Sequence, residues 1–274
     1  MKRVVFLMVV GALVTANAAQ YTLFGVDDGN GIAGTSQFFT ADCWADNNGV
    51  DVGPLYSSPD IEAIDSQTLG GTIYAVGGVA DAANPNELYT VTTGGAITLV
   101  DADLGLANEV WGGSFRPGTT EFWVSIKNNG ISYVNVATAG YDVTSITSSG
   151  SFEGIAWQDE NTLYSITELG ELSKHSYDGS TLSLVDTVDI NPGGAEYEAM
   201  EFAPDGKLVV AQQKADEGYF EVDLDGTFGA LTSLATYDGA RDIESFTFIP
   251  EPTTMSMIAV LSGAFVFIRR RFIV

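Results

Sequence analysis

Hydrophobic and polar residues alternate in short runs along most of the chain, with the two-residue period of a β-strand and little helical periodicity. Thr162-Leu163-Tyr164-Ser165-Ile166 and Gly218-Tyr219-Phe220-Glu221-Val222 are typical of these runs. Glycine, asparagine and aspartate separate the runs, as they do at turns between antiparallel strands. The pattern predicts an all-β domain over residues 19–249.

The runs form a repeat in which the first strand of each unit begins alike. Four of the five starts carry a glutamate in the second position, at 61–64, 152–155, 197–200 and 243–246, and the fifth, at 110–115, carries Trp111 there. The four steps from Glu62 to Glu244 cover 182 residues, a mean period of 45.5. Three further strand-like runs follow the start in a complete repeat. Four strands in roughly 45 residues are typical of a β-propeller blade.

The ends of this repeat complement each other. The last start, at 244–248, has no strands after it, whereas the N-terminal runs at 22–26, 37–41 and 52–56 have no start before them. Joining the two sets completes a blade and removes exposed sheet edges. We therefore predict five four-stranded blades closed by the C-terminal strand. A sixth blade hidden in 27–52 and a β-sandwich are the alternatives that the pattern leaves open.

The N-terminus has the three parts of a secretory signal peptide. Lys2-Arg3 precedes an eleven-residue apolar run at 4–14, and Ala16-Asn17-Ala18 matches an A-x-A cleavage site. The apolar run is shorter than an ordinary membrane span. We predict a signal helix over residues 1–18, with cleavage after Ala18.

The C-terminal segment, 250–274, has its own three parts. Pro250-Glu251-Pro252 is followed by an uncharged apolar run at 255–268 and then by Arg269, Arg270 and Arg271. The prolines separate this segment from the domain before it, because they continue neither a strand ladder nor a helix interior. Fourteen helical residues span roughly 21 Å, so flanking residues must help them to cross the membrane. The arginines place the end on the cytoplasmic side. The alternative is a buried C-terminal helix.

The order, spacing and terminal position of these three parts resemble the sorting tail of PEP-CTERM proteins. The resemblance covers about a tenth of the chain. It implies export from a bacterial cell, transient anchoring in the inner membrane, and processing by an exosortase-type enzyme that recognises the Pro-Glu-Pro region. It also implies partners in the export machinery, a final place at the cell surface or outside it, and association with exopolysaccharide.

Charge restricts the partners of the exported part. All 36 acidic residues but only six basic ones lie between Asp27 and Glu251, which gives this stretch a formal charge of −30. Nucleic acids and anionic surfaces are excluded, because their binding requires a basic patch. Divalent cations, cationic ligands and solubility in a polysaccharide matrix remain. With only Cys43 and His175, zinc sites and thiol chemistry are close to excluded as well.

The glutamates of the repeat are the candidate site. The innermost strand of each blade lines the central channel, so Glu62, Glu153, Glu198 and Glu244 should lie at one depth, where like charges raise each other's pKa. Calcium would relieve this repulsion. Alternatively, each carboxylate accepts backbone N–H groups from the neighbouring blade and serves only to fix the ring.

A second, shorter resemblance bears on the same residues. The run 152–157 is similar to blade openings in calcium-dependent lactonase-type and phytase-like six-bladed propellers, which implies a metal-reaching role for Glu153. The role extends to the other three glutamates only through the internal repeat, and Trp111 interrupts the ring.

Two functions follow from these observations. The first is an exported, acidic, non-enzymatic propeller that binds or scaffolds material of the cell envelope or the extracellular polysaccharide matrix. The alternative is a calcium-dependent propeller hydrolase, lactonase-like or phosphoesterase-like. No catalytic residue is assigned, since His175 is expected to be exposed on a third strand and no Ser-His-Asp order can be built around it.

Overall fold

The computed structural model describes residues 21–251, apart from 29–31, 33, 46–48, 79–85, 107, 139, 147–149, 192–194, 214–217 and 237–240. The compact β unit runs from Leu23 to Ile249. In the described ranges no helix is long and apolar enough to cross a membrane. The predicted signal helix with Ala16 and Ala18, the predicted membrane helix, Pro252 and the three arginines lie outside the described residues.

The described strands form five four-stranded sheets, which are the blades of a β-propeller. Blade 1 contains β1 (Tyr21–Asp28), β2 (Ser36–Ala41), β3 (Val50–Tyr56) and β20 (Ile243–Pro250). Blade 2 contains β4 (Ile61–Ser66), β5 (Ile73–Gly77), β6 (Leu88–Val91) and β7 (Ile97–Asp101). Blade 3 contains β8 (Val110–Phe115), β9 (Glu121–Ile126), β10 (Gly130–Asn135) and β11 (Val143–Ile146). Blade 4 contains β12 (Gly154–Asp159), β13 (Thr162–Ile166), β14 (Glu171–Tyr177) and β15 (Leu182–Asp189). Blade 5 contains β16 (Glu196–Phe202), β17 (Leu208–Gln213), β18 (Gly218–Val222) and β19 (Leu231–Thr236).

The last strand closes the ring, as the sequence predicts. In blade 1 the strand order is β20-β1-β2-β3, so the C-terminal strand is the innermost strand of the N-terminal blade. Arg241, just before β20, forms ion pairs with Asp27 of β1 and Asp51 of β3. The prediction of five blades is confirmed, and the alternatives of a sixth blade and of a β-sandwich are wrong.

Burial falls from the innermost to the outermost strand of each blade. Five of the six residues of β4 are buried, whereas β3 has no buried residue and β15 has one. Apolar clusters fill the spaces between neighbouring blades. Between blades 3 and 4, Trp123 and Trp157 are fully buried edge to face, with 4.8 Å between ring centroids. The innermost strands are therefore held from both sides, and they position the channel.

Candidate functional site

The repeat glutamates converge at one end of the channel. Glu62, Glu198 and Glu244 lie near the start of the inner strands β4, β16 and β20, and Glu153 immediately precedes β12. Trp111 has the corresponding place in β8. All five line one cavity of about 310 Å³. We call this cavity the acidic mouth; its other lining residues are Asp28, Gly34, Asp60, Glu109, Lys127 and Glu168.

Backbone irregularities bring these side chains to the same place. The strand register shifts at Ile61/Ala63, Val110/Gly112 and Tyr197/Ala199, so Glu62, Trp111 and Glu198 are each the extra residue of a bulge. A β-bulge redirects the side chain of its extra residue. Three of the five blades thus use one device at one position of the repeat.

Small residues let the inner strands approach closely just behind the mouth. The position after each mouth residue is occupied by Ala63, Gly112, Gly154, Ala199 and Ser245. At Gly112 the neighbouring blade is so near that a Cβ atom would lie 2.3 Å from the carbonyl oxygen of Glu153. No side chain fits in that space. The small residues at these five positions therefore allow the inner strands, and with them the mouth carboxylates, to lie close together.

Glu62 and Glu244 form the most perturbed pair. Burial raises the pKa of both carboxyls well above the ordinary value, and the two side chains hydrogen-bond to each other. Two carboxyls can make such a bond only when one of them carries a proton. The nearby charge of Asp60 raises the pKa of Glu62 further, and that of Glu198 raises the pKa of Glu244. Burial and the neighbouring acids therefore favour the protonated form of this pair.

The carboxyls of Glu153, Glu198 and Asp28 are perturbed in the same direction. Burial, followed by the charge of Glu168, raises the pKa of Glu153 to about 8. Burial and the charge of Asp242 raise the pKa of Glu198 to about 8, although its carboxyl accepts a hydrogen bond from Gln213 Nε2. Asp28 has a pKa of about 7 for the same main reason, burial. These three carboxyls therefore titrate closer to neutrality than to pH 4.

Three carboxylates of this region lie close enough to share a cation. Oxygen atoms of Asp28, Asp242 and Glu244 are all within 4.8 Å of one another. Calcium takes six to eight oxygen ligands, and carboxylates are common among them. Of the four glutamates predicted to hold a metal, only Glu244 belongs to this group, while Glu62 is hydrogen-bonded to it.

Trp111 brings a cation into the ring of acids. The Lys127 ammonium lies 4.5 Å from the centre of the Trp111 ring and forms a 2.7 Å ion pair with Glu109. The charge of Lys127 also lowers the pKa of Glu153, against the larger effect of burial. The mouth is therefore asymmetric, with its one aromatic position beside its one lysine among the described lining residues.

A second polar layer crosses the channel three residues further along the inner strands, and the sequence interpretation missed it. We call this the seam layer; its polar members are Asp65, Ser114, Glu201 and Thr247. Asp65 accepts hydrogen bonds from the backbone N–H of Phe115 at 2.6 Å and from Thr247 Oγ1 at 2.7 Å, and thus joins three blades. Ser114 likewise accepts the N–H of Trp157, at 3.2 Å, from the next blade. Burial still raises the pKa of Asp65 to about 6.

The seam layer thus has the interblade role that was one hypothesis for the glutamates. No described backbone N–H group bonds to the carboxylates of Glu62, Glu153, Glu198 or Glu244, whereas Asp65 receives two, from Phe115 and Ser66. The available signal was a polar residue at the third position after the mouth residue, inside strands that are otherwise apolar.

His175 does not have the exposed position expected of it. It is buried, and its Nε2 lies 2.8 Å from Ser165 Oγ, which is fully buried as well. Burial lowers the pKa of His175 to about 4. The expectation of an exposed histidine is therefore wrong, and the pair belongs to the packing between β13 and β14.

Comparison with known proteins agrees with this architecture. A chain from the crystal structure of a nidogen/laminin complex is similar in fold, with a TM-score of 0.54 and 11% sequence identity. The similarity covers 84% of the present chain and 98% of that chain. At such low identity it shows the fold alone. No family model matches the sequence, and no curated protein is significantly similar to it.

Proposed function

We propose that the chain is an exported, non-enzymatic β-propeller that binds or scaffolds material of the cell envelope or the extracellular polysaccharide matrix. The observation that carries the proposal is the ring itself, which is closed within Leu23–Ile249 and has a cavity at each end of its channel. A closed ring with two open ends presents binding surfaces without requiring any moving part. The nidogen/laminin likeness is consistent with this role at the level of fold.

The sorting proposal rests on the sequence around this ring. Pro250 ends β20, and Glu251 follows it directly, so the Pro-Glu-Pro triplet begins where the propeller ends. A processing enzyme of the exosortase type would remove the tail without cutting a strand. We propose PEP-CTERM-type export, transient anchoring by the segment 255–268, and release to the cell surface or beyond.

The binding role is tested with the matrix of the producing bacterium. The full chain, purified in mild detergent, should co-sediment with the extracellular polysaccharide, and heat-denatured protein serves as the control. Absence of saturable binding would overturn the proposal. Sorting has a separate readout, the intact mass of the surface form. That mass should lack the residues after the Pro-Glu-Pro region, and a surface form that still ends in Val274 would contradict processing.

A calcium-dependent hydrolase is the second candidate, and one observation favours it. Asp28, Asp242 and Glu244 offer oxygens within 4.8 Å of one another at the acidic mouth. A metal held there would polarise a phosphoryl or carbonyl oxygen of a substrate in the cavity. Hydrolysis of lactone or phosphoester substrates that requires calcium and is lost in Glu244→Gln would establish this function in place of the first.

A further inference from the structure

The inner strands end at a second cavity, opposite the acidic mouth. It has a volume of about 310 Å³ and shares no lining residue with the mouth. We call it the lower cavity. Its walls include Phe115, Phe202 and Phe248, and its rim includes the exposed Leu69, Gln158 and Pro204.

Two buried polar atoms in the lining of the lower cavity have no hydrogen-bond partner among the described residues. They are Nε1 of Trp157 and Oε2 of Glu201, in side chains that are 2% and 7% exposed. The other carboxylate oxygen of Glu201 accepts the N–H of Phe202 at 2.7 Å. The Ser114 hydroxyl lies close enough to the same carboxyl to lower its pKa, but no hydrogen bond of ordinary geometry joins it to Oε2.

Unsatisfied groups of this kind are destabilising, and native structures rarely retain them without a reason. An indole N–H only donates, whereas a carboxyl oxygen accepts from a donor or, when it is protonated, donates. A ligand that serves both atoms must therefore offer an acceptor to Trp157 and either kind of group to Glu201, and a hydroxyl group, which both accepts and donates, meets this requirement. Anionic ligands are disfavoured, because Asp65 and Glu201 both line the cavity and the exported part is strongly acidic.

The remaining walls select the rest of the ligand. Flat or ring-shaped apolar side chains surround a polar floor, and a sugar ring has the matching combination of C–H faces and hydroxyl edges. Ligand pockets have volumes of roughly 300–1,000 Å³, so the cavity is at the small end and suits one or two sugar units. Both floor atoms are shielded from bulk water, so a ligand hydroxyl group reaches them only if the side chains around them move.

We propose that the lower cavity is a binding site for a neutral sugar unit of a polysaccharide, with hydroxyl groups bonded to Trp157 Nε1 and Glu201 Oε2. The inference rests on the proposed function, since it names the surface through which the propeller would hold its matrix. It assigns no binding role to the acidic mouth.

The test uses the full chain in mild detergent and measures Kd by calorimetry. The probes are neutral hexasaccharides of glucose, mannose and galactose, with a hexasaccharide of galacturonic acid as the anionic comparison. At least one neutral probe should bind and the anionic one should not. Trp157→Phe, which removes only the indole N–H and part of the ring, should weaken binding at least tenfold. Glu201→Gln and the rim variant Gln158→Ala should weaken it as well.

Matched variants at the other end of the channel separate the possible outcomes. Trp111→Phe and Glu198→Gln should leave the affinity for the neutral probe unchanged. If the protein binds its matrix but only the mouth variants weaken binding, the lower cavity is not the site and the proposed function stands. Failure of every neutral probe, with matrix binding intact, overturns the inference in the same way. If the wild-type protein does not bind its matrix at all, both the proposed function and this inference are overturned. Gln158 is exposed, so its variant remains informative if Trp157→Phe fails to fold.

Discussion

The acidic mouth and the seam layer use the same inner strands, yet the mouth glutamates and Asp65 of the seam layer have opposite surroundings. In the mouth, Glu62 and Glu244 contact each other and face further acids. In the seam layer, three residues away, Asp65 receives the N–H groups of Ser66 and Phe115 and the hydroxyl of Thr247. The difference shows that the hydrogen-bond donors around a buried carboxylate, rather than the carboxylate itself, decide its effect. With donors from neighbouring blades it joins the blades, and without them it repels the neighbouring acids.

The largest effect is expected from removal of β20, which contributes one residue to the acidic mouth and one to the seam layer. Deletion of Ile243–Ile249 takes away Glu244 and Thr247 together and exposes the edge of β1. Unpaired strand edges template association, so the truncated protein should aggregate or fail to fold. Size-exclusion chromatography and thermal unfolding measure this outcome. A monomer with an unchanged melting temperature would contradict closure by β20.

The seam layer alone is tested at Asp65. Asp65→Ala leaves the buried N–H of Phe115 without its acceptor and should lower the free energy of unfolding by about 3 kcal/mol. Asp65→Asn, which keeps one acceptor oxygen, should cost clearly less. Urea unfolding at pH 7 measures the free energy of unfolding of both variants. If Asp65→Ala is as stable as the wild type, the seam layer does not stabilise the propeller.

The mouth should respond to Glu198→Gln with the opposite sign. The folded pKa of Glu198, about 8, lies above its unfolded value near 4.5, so folding binds a proton between these two pH values. The wild type therefore loses stability as the pH rises from about 4.5 to 8, and the neutral glutamine avoids that loss. We expect a gain of about 1–2 kcal/mol at pH 8, discounted for solvent screening, and almost none at pH 4.

The control for this pH dependence is Glu160→Gln, which changes an exposed glutamate away from the mouth. It should leave the slope of stability against pH unaltered. A Glu198→Gln variant that is less stable than the wild type at pH 8 would show that its bond from Gln213 outweighs the repulsion.

Calcium should produce the smallest effect. Burial raises the pKa of Asp28 to about 7 and that of Glu244 well above its ordinary value, so a cation that binds beside Asp242 must compete with protons for these two carboxyls. We expect 1 mM calcium to raise the melting temperature by less than about 1 °C relative to chelator, which corresponds to well under 1 kcal/mol for a chain of this size. A rise of several degrees that disappears in Glu244→Gln would instead support the calcium-dependent hydrolase.

The blade architecture could be predicted because it repeats, whereas the contacts within a layer could not. The spacing of Glu62, Trp111, Glu153, Glu198 and Glu244 fixes five inner strands and their common end. Asp65 and Glu201 were overlooked because the residue type at their position changes from blade to blade and forms no repeated motif: it is Asp65, Ser114, Ala156, Glu201 and Thr247 in turn.

His175 was misplaced for a different reason. The run 171–176 is mostly polar and belongs to a third strand, which favoured an exposed histidine. In the structure β14 pairs with both β13 and β15, and the His175 ring packs edge to face on Phe152, with 5.8 Å between ring centroids. Phe152 lies outside the run, so the run itself does not show this contact.

Closure by the last strand also affects the order in which the contacts of the propeller form during folding. Arg241 and Asp27 are 214 residues apart in sequence, and nearly the whole chain must be available before their ion pair and the β20–β1 pairing can form. Contacts at such separations form late and slowly, because the entropy of closing the long loop is lost first. Until then blade 1 has only three strands, and the edge of β1 is open. The strand that completes blade 1, β20, ends at Pro250 and is followed directly by Glu251. A factor that binds or anchors the C-terminal segment during export would therefore also restrain the strand that closes the propeller.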